Sequence, residues 1–147
     1  PLAGSAFKKV YYDELLGRAV SKFVPADDLV VPYTATSLED AESVIHMIKM
    51  SENEVRKKQV SGFYKDIELT PGYNEETEVQ KKERELEGTT KSIEEDVYTL
   101  LECHVDLDLE GFEDQDQQTG EPSGIKIPYI VTVEEATRKV LSIRRNY

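Results

Sequence analysis

The chain has 147 residues, which is enough for one domain with a single hydrophobic core and short for two domains that fold independently. Only 38% of the residues are hydrophobic and 33% are charged, against about 45–50% and about 25% in a typical domain, so part of the chain is disordered or neighbours supply part of its core. The formal net charge of -12 excludes the basic surface of a self-sufficient nucleic-acid-binding domain. The single cysteine, Cys103, excludes an internal disulfide, and no apolar run approaches the roughly 20 residues of a membrane-spanning helix.

The first predicted element is a β-hairpin. Strand-forming residues run from Phe7 to Tyr12 and from Ala19 to Val24, and the turn-forming sequence Asp13 to Gly17 lies between them. Pro25 follows directly and ends the second strand, because its ring removes a backbone donor. We therefore expect two antiparallel strands at the start of the chain.

Two further strands are predicted before the first helix. The short apolar run Leu29 to Val31 is followed by Pro32, which indicates an edge strand or a strand end. The polar sequence Thr36 to Ala41 predicts a turn that could cap one helical turn. The run Val44 to Met50 predicts a buried strand, since it is too short for a confident helix.

A capping pair marks the start of the predicted helix. Ser51 and Glu54 have the spacing of a capping box, in which the serine oxygen accepts from the third helical amide and the glutamate accepts from the serine amide. We expect this helix to run from Ser51 to Val60 and to end at Gly62.

The negative charge is concentrated in the middle of the chain. Residues 66–124 carry 4 basic and 19 acidic side chains, a net charge of -15. Within this stretch, Asn74 to Glu87 contains only Val79 and Leu86 as aliphatic residues, too few for a helix to pack on a core. We expect residues 72–96 to form an acidic, mobile helical insertion or linker.

The strongest strand pattern follows this acidic segment. From Val97 to Leu109 the odd positions are almost all apolar, while the even positions change from Tyr98 and Leu100 to Glu102, His104, Asp106 and Asp108. We therefore expect the odd face to be buried along its whole length. A polar loop from Glu110 to Gly124, an alternating strand from Ile125 to Val133 and a last strand from Val140 to Arg145 complete an antiparallel meander.

Together these patterns predict a strand-dominated α+β fold in one domain, residues 1–147. It combines an N-terminal β-hairpin, short helices and a C-terminal antiparallel β-meander. Because the chain opens with Pro1 and passes at once into a strand, we expect it to be a fragment of a longer chain.

One segment has part of a calcium-binding pattern. Asp106, Asp108 and Glu110, followed by Gly111, have the spacing with which a calcium loop opens. The twelfth loop position holds Gln117 where a bidentate glutamate is needed, and no helix is predicted on either side. A calcium- or ligand-binding module that uses the Asp106–Asp116 loop is the alternative function, and a solvated acidic hairpin is the simpler interpretation.

No residue set predicts catalysis. His46 and His104 lie on separate predicted strands, and Cys103 and His104 project to opposite faces of one strand, so neither a zinc site nor a Cys/His nucleophile pair is indicated. The common nucleotide-binding and hydrolase motifs do not occur in the sequence. We expect no enzymatic activity, no catalytic residue and no cofactor.

Seven segments of the sequence together have the pattern of one known family. They are Ala6 to Asp13, Phe23 to Tyr33, Thr36 to Ala41, Val44 to His46, Tyr98 to Asp106, Pro128 to Val131 and Val140 to Asn146. These segments resemble the portal protein of tailed bacteriophages, in particular the large portals of short-tailed phages. The resemblance covers most of residues 6–69 and 96–147, leaves out the acidic stretch between them, and includes no catalytic signature.

The resemblance implies a structural role. Portal proteins form a ring, usually a dodecamer, at one capsid vertex, through which DNA is packaged by the terminase and later ejected. The fragment would belong to the outer, wing-like part of a subunit. The matched positions would be fold determinants: Gly17 and Pro25 for turns, Pro32 for a strand end and Asp40-Ala41 for a helical corner. The implied partners are other copies of the chain and, through the intact portal, terminase, head-tail adaptor and capsid proteins. We expect no membrane contact and no direct DNA binding by this fragment; the location would be the virion, and the host cytoplasm during assembly.

Overall fold

The computed structural model describes residues 6–14, 16–70, 82, 85–86 and 97–147. Its architecture is strand-dominated α+β, which confirms the predicted fold class. The elements with described bounds are β1 (Phe7–Asp13), β2 (Arg18–Val24), a 3-10 helix (Ala26–Asp28), β3 (Leu29–Val30), β4 (Ser43–Ser51), α1 (Glu52–Val60), β5 (Val97–Leu107), β6 (Ile127–Glu134) and β7 (Val140–Arg145).

The strands form two antiparallel sheets. β1 and β2 make the predicted hairpin, with Phe7 opposite Val24 and Asp13 opposite Arg18. Gly17 lies in its turn at φ 63°, a left-handed conformation that favours glycine. The other five strands form one sheet in the order β3-β4-β5-β6-β7, which includes the predicted meander of β5, β6 and β7.

The helix α1 has the predicted start and end. The Ser51 hydroxyl accepts from the Glu54 amide at 3.4 Å, and the Glu54 carboxylate accepts from the Ser51 amide at 3.2 Å, so the capping box is complete. After Val60 the chain turns at Gly62, where φ is 78°. α1 therefore begins directly at the end of β4 and buries Val55.

The segment after α1 returns across the sheet towards β7. The Lys65 amide donates to the Leu141 carbonyl at 2.8 Å, and the Arg144 guanidinium stacks on the Phe63 ring 4.1 Å from its centroid. Tyr64 is buried in the same core cluster as Leu100. Helix and segment together cover one side of the sheet.

The two faces of the five-stranded sheet differ in exposure. Paired residues of antiparallel strands project to the same face, so the register divides the sheet into two sets. The covered face includes Leu29 in β3, Val44, His46, Ile48 and Met50 in β4, Tyr98, Leu100, Glu102 and His104 in β5, Ile130, Thr132 and Glu134 in β6, and Ser142 and Arg144 in β7. The open face has an aliphatic middle and polar or charged residues towards its ends. It includes Val30 in β3, Ser43, Ile45, Met47 and Lys49 in β4, Thr99, Leu101, Cys103, Val105 and Leu107 in β5, Ile127, Tyr129, Val131 and Val133 in β6, and Ile143 and Arg145 in β7.

The predicted burial of β5 was wrong. Tyr98, Leu100 and Glu102, at even positions, are buried, whereas the odd positions are only half-buried. The cause is local: α1 leaves β4 on the side of Met50, and Met50 pairs with Tyr98, so the helix packs on the even face. β5 also ends at Leu107, before the predicted Leu109.

A bulge adjusts the edge strand to this packing. The register between β6 and β7 shifts between Thr132 and Val133, and Leu141 is the additional residue. Leu141 and Ser142 are both buried, and Leu141 belongs to the same core cluster as Leu100. The bulge thus allows two consecutive residues of β7 to face the core.

The predicted helical corner at Asp40-Ala41 was also wrong. The capping contacts do form, since the Asp40 amide donates to the Ser37 hydroxyl at 3.1 Å and the Thr36 hydroxyl donates to the Asp40 carboxylate at 3.0 Å. The backbone there makes bends and no helical turn. The chain has to be extended again at Ser43, where β4 begins pairing with Val105, and this leaves no room for a helix.

The predicted acidic segment, residues 72–96, lies outside the described residues except for three. Lys82, Glu85 and Leu86 are helical and exposed. None of the helical residues that the structure describes belongs to a helix with the length and apolarity needed to cross a membrane.

Candidate functional site

A row of polar side chains crosses the middle of the covered face. His46, Glu102, Thr132 and Ser142 lie on four neighbouring strands and follow one line of the register, because each pairs with the next. All four are buried, with exposed fractions of 8%, 8%, 1% and 7%. Buried polar groups are costly unless they are satisfied, so this row is the first candidate for a function.

Glu102 is the centre of the row. It accepts a hydrogen bond from the Lys9 ammonium, which reaches over from β1, and its Oε1 lies 2.8 Å from His104 Nε2. Burial opposes ionisation of this carboxyl, but the bonds from His104 and Lys9 outweigh it and lower the pKa of Glu102 to about 2. Glu102 is therefore a carboxylate at neutral pH, and it ties the hairpin to the sheet.

His46 lies opposite Glu102 and has a different electrostatic environment. Burial lowers its pKa, and the Lys9 ammonium lowers it further, while Glu102 and Asp28 act in the opposite direction and Lys22 adds a small lowering effect. Its Nδ1 atom has no hydrogen-bond partner among the described residues. A neutral imidazole is the form that this position favours.

Tyr64, in the segment that returns from α1 towards β7, lies beside this polar row. Burial, together with the nearby Glu102 carboxylate, raises the pKa of Tyr64 to about 12, against smaller opposing effects of Arg144 and the Thr132 hydroxyl. The phenol is therefore protonated at neutral pH and is not poised as a base. Glu134, another buried carboxylate of the covered face, accepts a hydrogen bond from the Thr137 hydroxyl in the turn after β6.

The sequence missed the grouping around Glu102. His46 and His104 were interpreted as unrelated residues on separate strands, but both lie on the covered face beside Glu102. The two-residue spacing of Glu102 and His104 on one strand was an available signal. The position of His46 depends on the β4–β5 register, which the sequence does not specify.

Cys103 lies apart from this group, on the open face. Burial raises the pKa of its thiol, and the Glu102 carboxylate raises it further, so the thiol form is favoured. The thiol has a raised pKa and lies on the opposite face from both histidines, so neither of them is placed to activate it.

The three carboxylates of the calcium pattern lie at the end of β5. Asp106, Asp108 and Glu110 are all exposed. Among the described residues, no group of three or more His, Cys, Asp or Glu side chains has the arrangement of a metal site. The rest of the predicted loop is closed by its own hydrogen bonds, such as the one from the Ser123 hydroxyl to Asp114 at 2.8 Å.

A groove of about 470 Å³ runs between α1 and the returning segment. Its apolar lining includes Val55, Leu69 and Tyr98, and an ion pair between Arg56 Nη1 and Asp66 Oδ1 at 2.5 Å stands at its rim. Because both rim charges are largely exposed, this pair contributes little to stability. The groove has no group poised for chemistry and is a consequence of how the segment packs on the helix.

A comparison with protein-family models finds no matching family, and a comparison with curated proteins finds no matching relative. The functional assignment therefore depends on the residues and geometry of the chain itself. The polar row joins the hairpin to the sheet and buries its own charges, which is the chemistry of a structural connection.

Proposed function

We propose that the chain is a non-enzymatic structural module of a portal protein of tailed bacteriophages, of the large short-tailed-phage type. The observation that carries the proposal is the position, within the fold, of the segments that resemble portal proteins. Ala6 to Asp13 covers all of β1, Phe23 to Tyr33 covers the end of β2 and all of β3, and Tyr98 to Asp106 covers nearly all of β5. The resemblance thus follows the residues that build both sheets.

The polar row supports the non-enzymatic part of the proposal. Glu102 is occupied by Lys9 and His104, the Tyr64 phenol stays protonated, and Cys103 faces away from both histidines. A catalytic base needs a free lone pair directed at a substrate. In this chain Glu102, the carboxylate of the row, attaches one sheet to the other through its bond with Lys9.

The charge of the chain supports a peripheral location in the portal ring. A net charge of -12 would repel duplex DNA, so the module would lie away from the channel that DNA passes through. Its partners would be other copies of the chain and, through the intact ring, the terminase, head-tail adaptor and capsid proteins. The assembled protein would be found in the virion and, before that, in the host cytoplasm.

Electron microscopy of the product of the full coding sequence tests this proposal. We expect closed rings with rotational symmetry and a particle mass of many subunits. A product that stays monomeric at micromolar concentration would contradict the proposal. The neighbouring genes provide an independent test, because a portal gene is expected beside terminase and capsid genes.

A further inference from the structure

We propose that the hairpin detaches from the five-stranded sheet when His46 binds a proton. The proposal is independent of the portal assignment, since it concerns only the joint between the two sheets of this chain. Two observations carry it: the position of His46 against the basic side of the hairpin, and the way in which Glu102 holds Lys9.

One face of the hairpin meets the sheet. The register of β1 and β2 pairs Lys9 with Lys22 and Phe7 with Val24, so these four side chains project to one side, the inner face, whereas Lys8 projects to the outer face. Val24 is 3% exposed, and the Lys9 ammonium donates to Glu102 on the covered face of the sheet. The joint therefore combines a buried apolar side chain with a charged hydrogen bond.

His46 is the residue at this joint whose charge can change near neutral pH. It is buried on the covered face opposite Glu102, and its Nδ1 atom has no hydrogen-bond partner among the described residues. The two lysines of the inner face, Lys9 and Lys22, both oppose a positive charge at this position. A proton on His46 thus adds a third cation to a site where the attached hairpin already holds two.

The other charges that face His46 do not cancel this repulsion. Glu102 on β5 and Asp28 in the 3-10 helix favour the proton, but burial and the lysines outweigh them, so the pKa of His46 lies below its ordinary value. β3, which pairs with β4 at His46, contributes only Leu29 and Val30 and no titratable group.

Detachment of the hairpin reverses these effects on His46. It hydrates the imidazole and removes both lysines, so the detached chain binds the proton more tightly than the attached chain does. By linkage, the detached fraction must rise as pH falls through the ordinary pKa of 6.5.

Glu102 holds Lys9 through an oxygen that has a second partner. The Lys9 ammonium and His104 Nε2 both contact Oε1 of Glu102, and the distance to His104 is 2.8 Å. When Lys9 leaves, Oε1 keeps its contact with His104, so the carboxylate is not left buried without a partner, which would be costly. The joint can therefore open while the sheet stays folded.

Thiol labelling with a methanethiosulfonate reagent measures the detachment. Val24 and Val55 are each 3% exposed, Val24 on the inner face of the hairpin and Val55 on α1. In a Cys103→Ala background, Val24→Cys reports the joint and Val55→Cys reports the core. Val10→Cys, at a position that is 68% exposed, corrects for the effect of pH on the thiol itself.

The linkage sets the size of the expected effect. Between about pH 7.5 and about pH 5.5, one proton bound by a group of ordinary pKa 6.5 raises the detached fraction by at most about tenfold. We expect the corrected labelling rate at Val24→Cys to rise by about two- to tenfold over this range, and Val55→Cys to stay protected. An unchanged rate at Val24→Cys, or an equal rise at Val55→Cys, would overturn the proposal.

Two pairs of substitutions assign the effect to His46. His46→Gln keeps a polar side chain that does not bind the proton and should abolish the rise, whereas His104→Gln, which removes the other histidine, should retain it. Lys22→Gln removes one opposing cation without touching the bond to Glu102 and should reduce the rise, and Lys8→Gln on the outer face is its matched control.

Far-UV circular dichroism checks that each variant is folded. If His46→Gln does not fold, the comparison of Lys22→Gln with Lys8→Gln decides. A rise that persists in His46→Gln, or one that Lys22→Gln and Lys8→Gln change equally, would show that His46 does not control the joint.

Discussion

The two faces of the five-stranded sheet reverse the usual relation between hydrophobicity and burial. The middle of the open face is aliphatic and only half-buried, whereas the covered face carries the buried row of His46, Glu102, Thr132 and Ser142. The difference shows that chain connectivity decides which face is covered first. α1 starts at the last residue of β4, so it packs on the nearest apolar patch, formed by Met50 and the residues that surround it.

The covered face has a graded composition that makes this possible. Near α1 it is apolar, with Met50, Tyr98 and Leu100 in the core cluster. Towards the hairpin it becomes polar, and the hairpin supplies Lys9 as the counter-charge for Glu102. One face is thus closed by two different means, hydrophobic packing at one end and an ion pair at the other.

The largest expected effect is from shortening a leucine on the covered face. Leu100 is fully buried and its neighbour Leu101 faces the open side, so Leu100→Ala and Leu101→Ala remove the same atoms from the two faces. We expect Leu100→Ala to lower the free energy of unfolding by about 2–5 kcal/mol and Leu101→Ala by about 1 kcal/mol. Urea denaturation at a concentration where the chain is monomeric measures both, and equal losses would show that the two faces are equally covered.

The next effect concerns the ion pair at the other end of the covered face. Because the folded pKa of Glu102 is about 2 and its ordinary value is 4.5, its contribution to stability is complete above about pH 4.5 and is lost as pH falls towards 2. The shift corresponds to at most about 3 kcal/mol. Glu102→Gln should remove this part of the pH dependence.

Denaturation of both proteins between pH 7 and pH 2 measures the difference. Glu121→Gln is the matched control, because Glu121 is exposed in the loop. A wild-type chain and a Glu102→Gln variant with parallel stability curves below pH 4.5 would contradict the role of Glu102.

The strands and the helix could be predicted from the sequence, whereas the covered face of the sheet could not. The hairpin, β4, the helix start at Ser51 and the meander follow from local signals, namely alternation, a capping box and turn residues, and all are present in the structure. Such signals act over a few neighbouring residues, so they can be recognised from a single sequence.

The covered face could not be predicted in this way, because it depends on tertiary pairing. Alternation in β5 shows that two faces exist, and Tyr98 and Leu100 show that the even face is also apolar at its start, but only the placement of α1 decides between the faces. The same holds for the row around Glu102. Lys9 is 93 residues away in the sequence, and the β4–β5 register is needed to place His46.

The smallest expected effect concerns His46, the member of the polar row on which nearby charges of both signs act. Its pKa is lowered by burial and by Lys9, so the unfolded chain binds a proton more readily than the folded chain does. The stability that His46 contributes is therefore complete above its ordinary pKa of 6.5 and decreases as pH falls below it. Lys9→Gln removes a cation that faces this ring and should raise the pKa of His46 towards its ordinary value.

Lys8→Gln is the matched control, because Lys8 is the neighbouring residue on the outer face of the hairpin. Titration of the imidazole proton resonances by NMR follows His46 separately from His104. We expect His46 to titrate below 6.5 in the wild-type chain, higher in Lys9→Gln, and unchanged in Lys8→Gln. Equal responses to the two lysine substitutions would mean that the hairpin does not reach the covered face in solution.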